Sequence, residues 1–265
     1  MNFIQALKSY SPSTVLSKGF SIAISTHVII SFQKSGKTWL RMMLGKILAE
    51  TYGCKKIELD LEKMTLWKRG APTILISHAG STTKEPKVNF QHLFRKKKII
   101  VLARDPRDML VSLYHSAKNR EKTYTGTLSK YVRDSDYGAM RIISFMNAWM
   151  EEMKQRQDDF LLVRYEDLQK DTVTELQRVV DFLGIPVSSE LLEQAVAYGS
   201  FDNMRKMEAS GAVNDRRMKP IDTANVDSFK TRKGKVGSYK EEMSVEDIEY
   251  VTRLMEEKLN KELRY

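Results

Sequence analysis

Short apolar runs bounded by polar residues alternate with segments of helical periodicity along this chain. Such runs are typical of strands that are buried on both faces of a sheet. The predicted strands are residues 27–32, 73–77, 98–103 and 160–163, and the predicted helices are residues 38–52, 106–114, 136–155, 171–183, 188–198 and 245–259. Strands that alternate with helices predict an α/β fold with three α/β/α layers around a central parallel sheet.

The length and composition predict a single domain over residues 1–265, because α/β domains of this size often fold as one unit. Residues 1–26 lack sustained periodicity and are predicted to be an irregular lead-in. Residues 210–236 are rich in charge and glycine, and we expect a mobile lid that includes a ligand-binding loop. No apolar run approaches the roughly 18 residues of a membrane span. With a single cysteine, Cys54, the chain is expected to be cytoplasmic, with no membrane partner.

Charge narrows the class of ligand. The chain has 44 Lys and Arg against 34 Asp and Glu, and the difference is a formal net charge of +10. An excess of this size indicates an anionic partner, which could be a nucleic acid, a membrane surface or a small polyanion. One cysteine and four scattered histidines do not form a metal-binding pattern, so no metal is predicted.

The segment after the first strand has the composition of a phosphate-binding loop. Ligands of open parallel sheets bind at the carboxyl ends of the strands. Here Lys34, Ser35, Gly36, Lys37 and Thr38 join the strand directly to a helix. A glycine turn at a helix N-terminus presents backbone N–H groups to an anion, and the lysines and hydroxyls add donors.

A phosphate-binding loop and an excess of positive charge also fit two other functions. Gly36-Lys37-Thr38 fits the end of a Walker A loop, although Ser31 stands where its first glycine belongs, so a P-loop kinase or NTPase that uses Lys37 is the alternative. Against it, the third strand is followed by Arg104, a cation, where a magnesium site would need an acidic residue. Basic runs at 95–98 and 216–219 suggest nucleic acid, but no aromatic-interleaved or zinc-finger motif accompanies them, so no nucleic-acid partner is predicted.

Five motifs in order then resemble those of the cytosolic-type sulfotransferases. They are residues 34–39, which resemble the family's 5′-phosphosulfate loop; residues 104–108 with Ser112, its 3′-phosphate motif; and residues 164–168, 200–204 and 229–240. The sequence departs from the family's usual pattern at Gln33, at Lys37 and at Ser238-Tyr239, where the family has proline, threonine and Asp-Trp.

The resemblance implies a donor, 3′-phosphoadenosine 5′-phosphosulfate (PAPS), and transfer of its sulfuryl group to a hydroxyl or amine of a small molecule or glycan. The product would be 3′-phosphoadenosine 5′-phosphate (PAP). By resemblance, the catalytic residues are Lys34, which stabilises the leaving phosphate, with His78 and Ser112. The donor-binding residues implied are Lys34, Ser35, Gly36, Lys37 and Thr38 at the 5′-phosphate; Trp39 and Tyr165 at the adenine; Arg104, Ser112, Arg232, Lys233 and Gly234 at the 3′-phosphate; and Ser200, Phe201 and Met204.

A base must accept the proton of the acceptor. His78 follows the second strand at the place of the family's general base, and histidine titrates in the range that this role needs. The resemblance requires no metal. Residues 240–249 resemble the dimer motif of some cytosolic sulfotransferases, which makes a homodimer possible, but a charged helix start capped by Ser244 explains the same pattern.

The identity of the acceptor stays open. We expect the acceptor site to be bounded by residues 79–94, 120–140 and 210–226. Phe90, Tyr124, Tyr131 and Tyr137 would suit an aromatic or lipophilic alcohol, whereas the charges would suit a glycan or an anionic acceptor.

Overall fold

Four parallel strands form one sheet in the computed structural model, which describes residues 19–78, 93–213, 215–219, 226–263 and 265. The strands are β1 (His27–Ser31), β2 (Ile74–Ser77), β3 (Lys98–Ala103) and β4 (Phe160–Arg164), in the order β2-β1-β3-β4. Each predicted strand is present to within one residue at either end. The parallel sheet between helical layers confirms the predicted fold class.

The six predicted helices begin and end close to the predicted residues. The helices after β1 are α1 (Lys37–Tyr52), α2 (Leu61–Thr65), α3 (Pro106–His115), α4 (Leu128–Arg133), α5 (Ala139–Gln155), α6 (Tyr165–Lys170), α7 (Thr172–Leu183), α8 (Ser189–Tyr198), α9 (Phe201–Ser210) and α10 (Val245–Lys258). Of these, α2, α4, α6 and α9 were not predicted. A π-helical turn, Ser116–Arg120, continues α3. Residues 19–24 are helical, so the last part of the segment expected to be an irregular lead-in is ordered.

Hydrophobic residues of the strands alternate between two cores. Val28 and Ile30 face a core that includes residues of α3, α5 and α10, whereas Ile29 and Ile100 face one that includes residues of α1, α7 and α8. Successive side chains of a strand point to opposite faces, so strands apolar at every position fit between two helical layers. No helix in the described part of the chain is long and apolar enough to cross a membrane.

The register of the strands aligns the four loops that carry the predicted chemistry. Ser31, the last residue of β1, pairs with Leu102 of β3, and Ala103 of β3 pairs with Arg164 of β4. Ile30 pairs with Ser77, the last residue of β2. The residues that follow these strands therefore meet at one edge of the sheet.

Candidate functional site

A cavity of about 1290 Å³ lies at this carboxyl edge. The predicted residues that line it are Lys34, Gly36, Lys37, Thr38, Trp39, His78, Arg104, Ser112, Tyr165, Ser200, Phe201, Met204, Arg232, Lys233 and Gly234. The side chain of Ser35 does not line the cavity but donates a hydrogen bond to the Phe32 carbonyl at 3.0 Å, which closes the loop on itself. The fold therefore brings segments distant in sequence around one space.

The loop between β1 and α1 has the backbone of an anion-binding turn. Lys34 and Gly36 adopt left-handed conformations, with φ of 69° and 91°. α1 begins at Lys37 without a side-chain cap, so the first N–H groups of the helix are available to a ligand. A left-handed conformation is strained for a residue other than glycine, and Lys34 adopts one. Strained residues of this kind are found most often at functional sites.

The Tyr165 ring packs against this loop. A Cβ atom on Gly36 would lie 2.4 Å from Cδ2 of the Tyr165 ring, so only glycine fits against it. The same ring packs edge to face on Trp39, with centroids 5.7 Å apart, and lies under the Arg104 guanidinium at 4.2 Å. One aromatic side chain thus connects the segments that follow β1, β3 and β4.

Gly36→Ala is expected to lower the affinity for PAP, the nucleotide that the family resemblance implies, by about tenfold or more, because the Tyr165 ring must move and the loop must change its turn. Calorimetric titration with PAP measures this. Gly53→Ala is the matched control, since Gly53 also has a positive φ (61°) but has nothing within 4 Å of its Cβ position. Equal PAP affinities in the two variants would contradict the expectation.

Arg104 bridges the loop after β1 to the loop that precedes α10. Its guanidinium donates to the Lys34 carbonyl at 3.1 Å and to the Lys235 carbonyl at 3.2 Å. Asp108, one helical turn on, is buried and accepts hydrogen bonds from Gly237 N and Tyr239 N at 2.8 and 3.0 Å. The Nε of Arg104 is buried without a partner among the described residues, which is an unused donor in a site predicted to bind phosphate.

Two predicted phosphate ligands, Arg232 and Lys233, converge on a carboxylate. Glu242 lies 2.8 Å from the Arg232 guanidinium and 2.9 Å from Lys233 Nζ. His115 makes a further contact with Glu242. Burial opposes ionisation of Glu242, but its hydrogen bonds with Lys233, Arg232 and His115 outweigh this and lower the pKa to about 2. The Glu242 carboxylate therefore holds the Arg232 guanidinium and the Lys233 ammonium close together.

One ring nitrogen of His78 forms a hydrogen bond with the backbone, and the other forms none with the described residues. Its Nδ1 lies 2.9 Å from the carbonyl oxygen of Ser31. A carbonyl can only accept, so Nδ1 carries the proton and Nε2 is the basic nitrogen of the neutral ring. His78 lines the cavity with Lys34, so an acceptor proton and the donor loop would share one space.

Five cations of the cavity were not among the predicted site residues: Arg41, Arg120, Arg217, Lys219 and Lys230. The basic run at 216–219 was a visible signal for two of them. The run at 95–98 lies elsewhere, since Lys98 starts β3 at the opposite edge of the sheet. Arg41 and Arg120 sit in ordinary helical sequence, where no local signal marks them.

The tyrosines proposed for the acceptor site pack on one another. The Tyr131 ring lies 5.0 Å from Tyr124 and 5.4 Å from Tyr137, and Tyr131 is 2% exposed. None of the three is among the described residues that line the cavity. Tyr131 belongs to the core and Tyr124 packs against it, whereas Tyr137 is 39% exposed. Phe90 and the rest of residues 79–92 lie outside the described residues.

The described residues contain no group of three or more His, Cys, Asp or Glu side chains that could hold a metal ion. An open parallel sheet whose first strand runs into an anion-binding loop and a helix defines a P-loop-like nucleotide-binding protein. The cation-rich cavity at that loop fits a ligand with several phosphate-type charges.

Comparison with known proteins identifies the class further. The sulfotransferase domain family matches residues 25–262, so the chain belongs to this family, as its motifs predicted. It is a PAPS-dependent sulfotransferase with PAPS as its co-substrate. Sulfotransferase 2A1 of Rattus norvegicus is 28% identical over 257 residues, with coverage of 88% of this chain and 84% of that protein. The amine sulfotransferase of Oryctolagus cuniculus is 25% identical and covers 91% of this chain and 82% of its own length.

Solved structures share the fold. Mouse sulfotransferase SULT7A1 complexed with PAP superposes with a TM-score of 0.65 at 22% identity, over 92% of this chain and 88% of that one. A retinol dehydratase in complex with androsterone and PAP gives a TM-score of 0.62 at 19% identity, over 91% of this chain and 82% of that one.

Proposed function

We propose that the protein transfers the sulfuryl group of PAPS to a hydroxyl or amine of a small molecule, with His78 as the general base. The observation that carries this proposal is that Lys34, His78 and Arg104, which follow three neighbouring parallel strands, line one cavity. The relatives named as acting on steroids and amines favour a small-molecule acceptor.

The residues that fit the donor fall into three groups. The loop from Lys34 to Thr38 suits the 5′-phosphosulfate because its left-handed turn and helix N-terminus present backbone N–H groups. Arg104, Ser112, Arg232, Lys233 and Gly234 suit the 3′-phosphate, and the unused Nε of Arg104 supports that role. Trp39, Tyr165, Ser200, Phe201 and Met204 suit the nucleoside because they add aromatic and apolar surface to the same cavity.

Two side chains perform the chemistry in this proposal. PAPS supplies the sulfuryl group, whose bond to a 5′-phosphate oxygen is exchanged for a bond to the acceptor oxygen or nitrogen. His78 takes the acceptor proton on Nε2 while Nδ1 stays bonded to the Ser31 carbonyl. The Lys34 ammonium stabilises the negative charge that collects on the leaving phosphate oxygen.

Nucleotide preference tests the proposal against the P-loop NTPase alternative. PAP at about 100 times its Kd is expected to raise the Tm by about 5–10 °C, and ATP at the same concentration is expected to raise it much less, because ATP lacks a 3′-phosphate. Thermal unfolding with each nucleotide, with and without Mg²⁺, measures this. Stabilisation by ATP with Mg²⁺ and none by PAP would favour the alternative in which Lys37 binds the terminal phosphates.

A homodimer through residues 240–249 remains a proposal. Ser244 caps α10 by accepting a hydrogen bond from Asp247 N at 3.2 Å, so part of the dimer-like pattern has a role within one chain. Sedimentation of the protein with and without PAP would give its oligomeric state.

A further inference from the structure

The edge of the sheet where the strands begin, opposite the cavity, carries a surface that the proposed function does not use. His27, which starts β1, pairs with Ile74 of β2 and with Lys98 of β3. Thr26 N donates to the Thr73 carbonyl at 2.9 Å, and Lys98 N donates to the Thr26 carbonyl at 3.3 Å. The segments that precede these three strands therefore meet at one amino edge.

A closed loop before β2 exposes a tryptophan at this edge. The hydroxyl of Thr65, which is buried, lies 2.9 Å from the Pro72 carbonyl, so residues 66–71 leave the core and return to it at one point. Trp67, on this loop, is 89% exposed. Tryptophan is well buried on average, and its ring offers a large apolar surface. The fold therefore presents an indole ring outward at the amino edge.

The end of α1 lies beside this loop. α1 begins at the cavity, and its 16 residues run about 24 Å back along the sheet, so its last turn reaches the amino edge. Lys68 Nζ donates to the Gly53 carbonyl at 2.6 Å, and the Cys54 thiol lies 3.5 Å from the Met64 carbonyl. The two segments therefore form one continuous surface.

This surface is basic. We define the amino-edge patch as Trp67 with the cations Lys55, Lys56, Lys68 and Arg69. Residues 53–56 and 66–71 contain no Asp or Glu, and none of the four cations forms an ion pair with a carboxylate among the described residues. Glu58, an exposed carboxylate close by in the chain, offsets one of the four charges. An excess of positive charge therefore remains around the indole ring.

A second exposed aromatic side chain lies on the neighbouring segment. Phe20 is 54% exposed and belongs to the helix at residues 19–24, which precedes β1. Ser21 donates to Glu62 of α2 at 3.4 Å, and α2 leads directly into the loop of Trp67. Exposed aromatic rings on adjacent segments, beside unpaired cations, indicate a binding surface and not isolated surface residues.

The basic run at 95–98, which does not line the cavity, adds charge on the other side of β1. Arg95 and Lys96 are exposed and precede β3. Neighbouring strands lie about 4.8 Å apart, so the starts of β2 and β3 are separated by about 10 Å. Lys96 shares a surface pocket with Asp159 and Asp181, so these carboxylates limit the basic surface on the β4 side.

We propose that the amino-edge patch binds the anionic surface of a lipid bilayer. Exposed lysines and arginines are attracted to phosphate and serine headgroups, and tryptophan prefers the interface between headgroups and acyl chains. Duplex nucleic acid would neutralise the cations, but it would offer no apolar layer to the indole ring. A bilayer surface meets both requirements.

Contact at this edge is compatible with catalysis. The cavity lies at the carboxyl edge of the sheet, so a leaflet bound at the amino edge does not cover it. The expectation of no membrane partner rested on the lack of a run long enough to span a bilayer, and contact with one leaflet requires none. Binding of the patch is also independent of which acceptor the cavity takes.

Cosedimentation with vesicles tests the patch. The full chain is expected to bind phosphatidylcholine vesicles that contain about one third phosphatidylserine at least about tenfold more tightly than vesicles of phosphatidylcholine alone. Lys56→Gln/Arg69→Gln is expected to lose about tenfold or more of that affinity, since each cation near an anionic surface contributes a factor of about five. The matched control is Lys206→Gln/Lys261→Gln, which removes the same charge from exposed positions on α9 and after α10.

Fluorescence of Trp67 tests the contact directly. The chain has three tryptophans, of which Trp149 is buried and Trp39 lines the cavity. Emission is expected to shift to shorter wavelengths when phosphatidylserine vesicles are added, and Trp67→Phe should abolish this shift. Trp67→Ser should lower vesicle affinity by about tenfold, because the apolar area that enters the bilayer is lost.

Three results would overturn the proposal: no preference for phosphatidylserine, equal vesicle affinity in the patch and control variants, or an emission shift with duplex DNA but not with vesicles, which would assign the patch to nucleic acid. Self-association that Trp67→Ser abolishes, without vesicle binding, would assign the patch to a second copy of the chain and would equally overturn it. None of these measurements requires PAPS, so their outcome is separate from that of the proposed sulfuryl transfer.

Discussion

Replacing Lys34 with alanine is expected to lower kcat by about 10²–10³-fold, the usual effect of removing one group that stabilises charge in the transition state. Burial, and then the neighbouring Arg120 and Arg104, lower the pKa of Lys34 to about 8. Its ammonium is therefore still mainly charged at neutral pH. Single-turnover transfer from PAPS measures the chemical step, and PAP affinity is expected to fall by a smaller factor.

Lys46→Ala is the charge-matched control for Lys34. Lys46 lies on α1 outside the cavity, where it forms an i,i+4 ion pair with Glu50 at 2.7 Å. Exposed pairs of this kind contribute little, so activity close to that of the wild type is expected. A Lys34→Ala enzyme with kcat within about threefold of the wild type would reject the role of Lys34, since an essential transition-state donor contributes far more.

Local sequence was enough to predict the donor loop. The glycine turn, the lysines and the helix that follows are contiguous, so their geometry depends mainly on neighbours in the chain. Gly36 is left-handed, and α3 begins at Pro106, as the sequence suggests. The pattern of strands and helices was equally local and predicted the parallel sheet.

Residues whose role depends on long-range contacts could not be predicted in the same way. Asp108 was recognised only as part of the 3′-phosphate motif, but its carboxylate accepts hydrogen bonds from Gly237 N and Tyr239 N, more than a hundred residues away. Arg41 lies within a periodic helix and lines the cavity because the fold brings α1 next to the segment that carries Asp215 and Arg217. Tyr131 was proposed for the acceptor site, yet packing of aromatic neighbours buries it in the core.

The cation clusters refine the meaning of the net charge. Arg232 and Lys233 are paired with Glu242, whereas Lys37 and Arg41 have no such partner in the described part of the chain. Burial and neighbouring cations lower the pKa of Lys37 to about 6, so an anion bound at the loop would favour its charged form.

His78→Gln is expected to lower kcat/KM by about 10²–10⁴-fold, the range of general-base catalysis. The glutamine amide can still donate to the Ser31 carbonyl, as His78 Nδ1 does at 2.9 Å, but it has no basic nitrogen for the acceptor proton. For an acceptor that does not itself titrate between pH 5 and 8, the wild type should gain activity as the ring loses its proton. This rise should be absent in the variant.

His27→Gln is the matched control, because His27 begins β1 at the opposite edge of the sheet from the cavity. Its kcat/KM and pH profile are expected to follow the wild type. PAP affinity, measured in both variants, separates a lost base from a collapsed site, since His78 is assigned to the acceptor proton and not to the nucleotide. A His78→Gln enzyme that keeps the wild-type pH profile would show that the proton leaves by another route, and the base would then have to be sought among the other side chains that line the cavity.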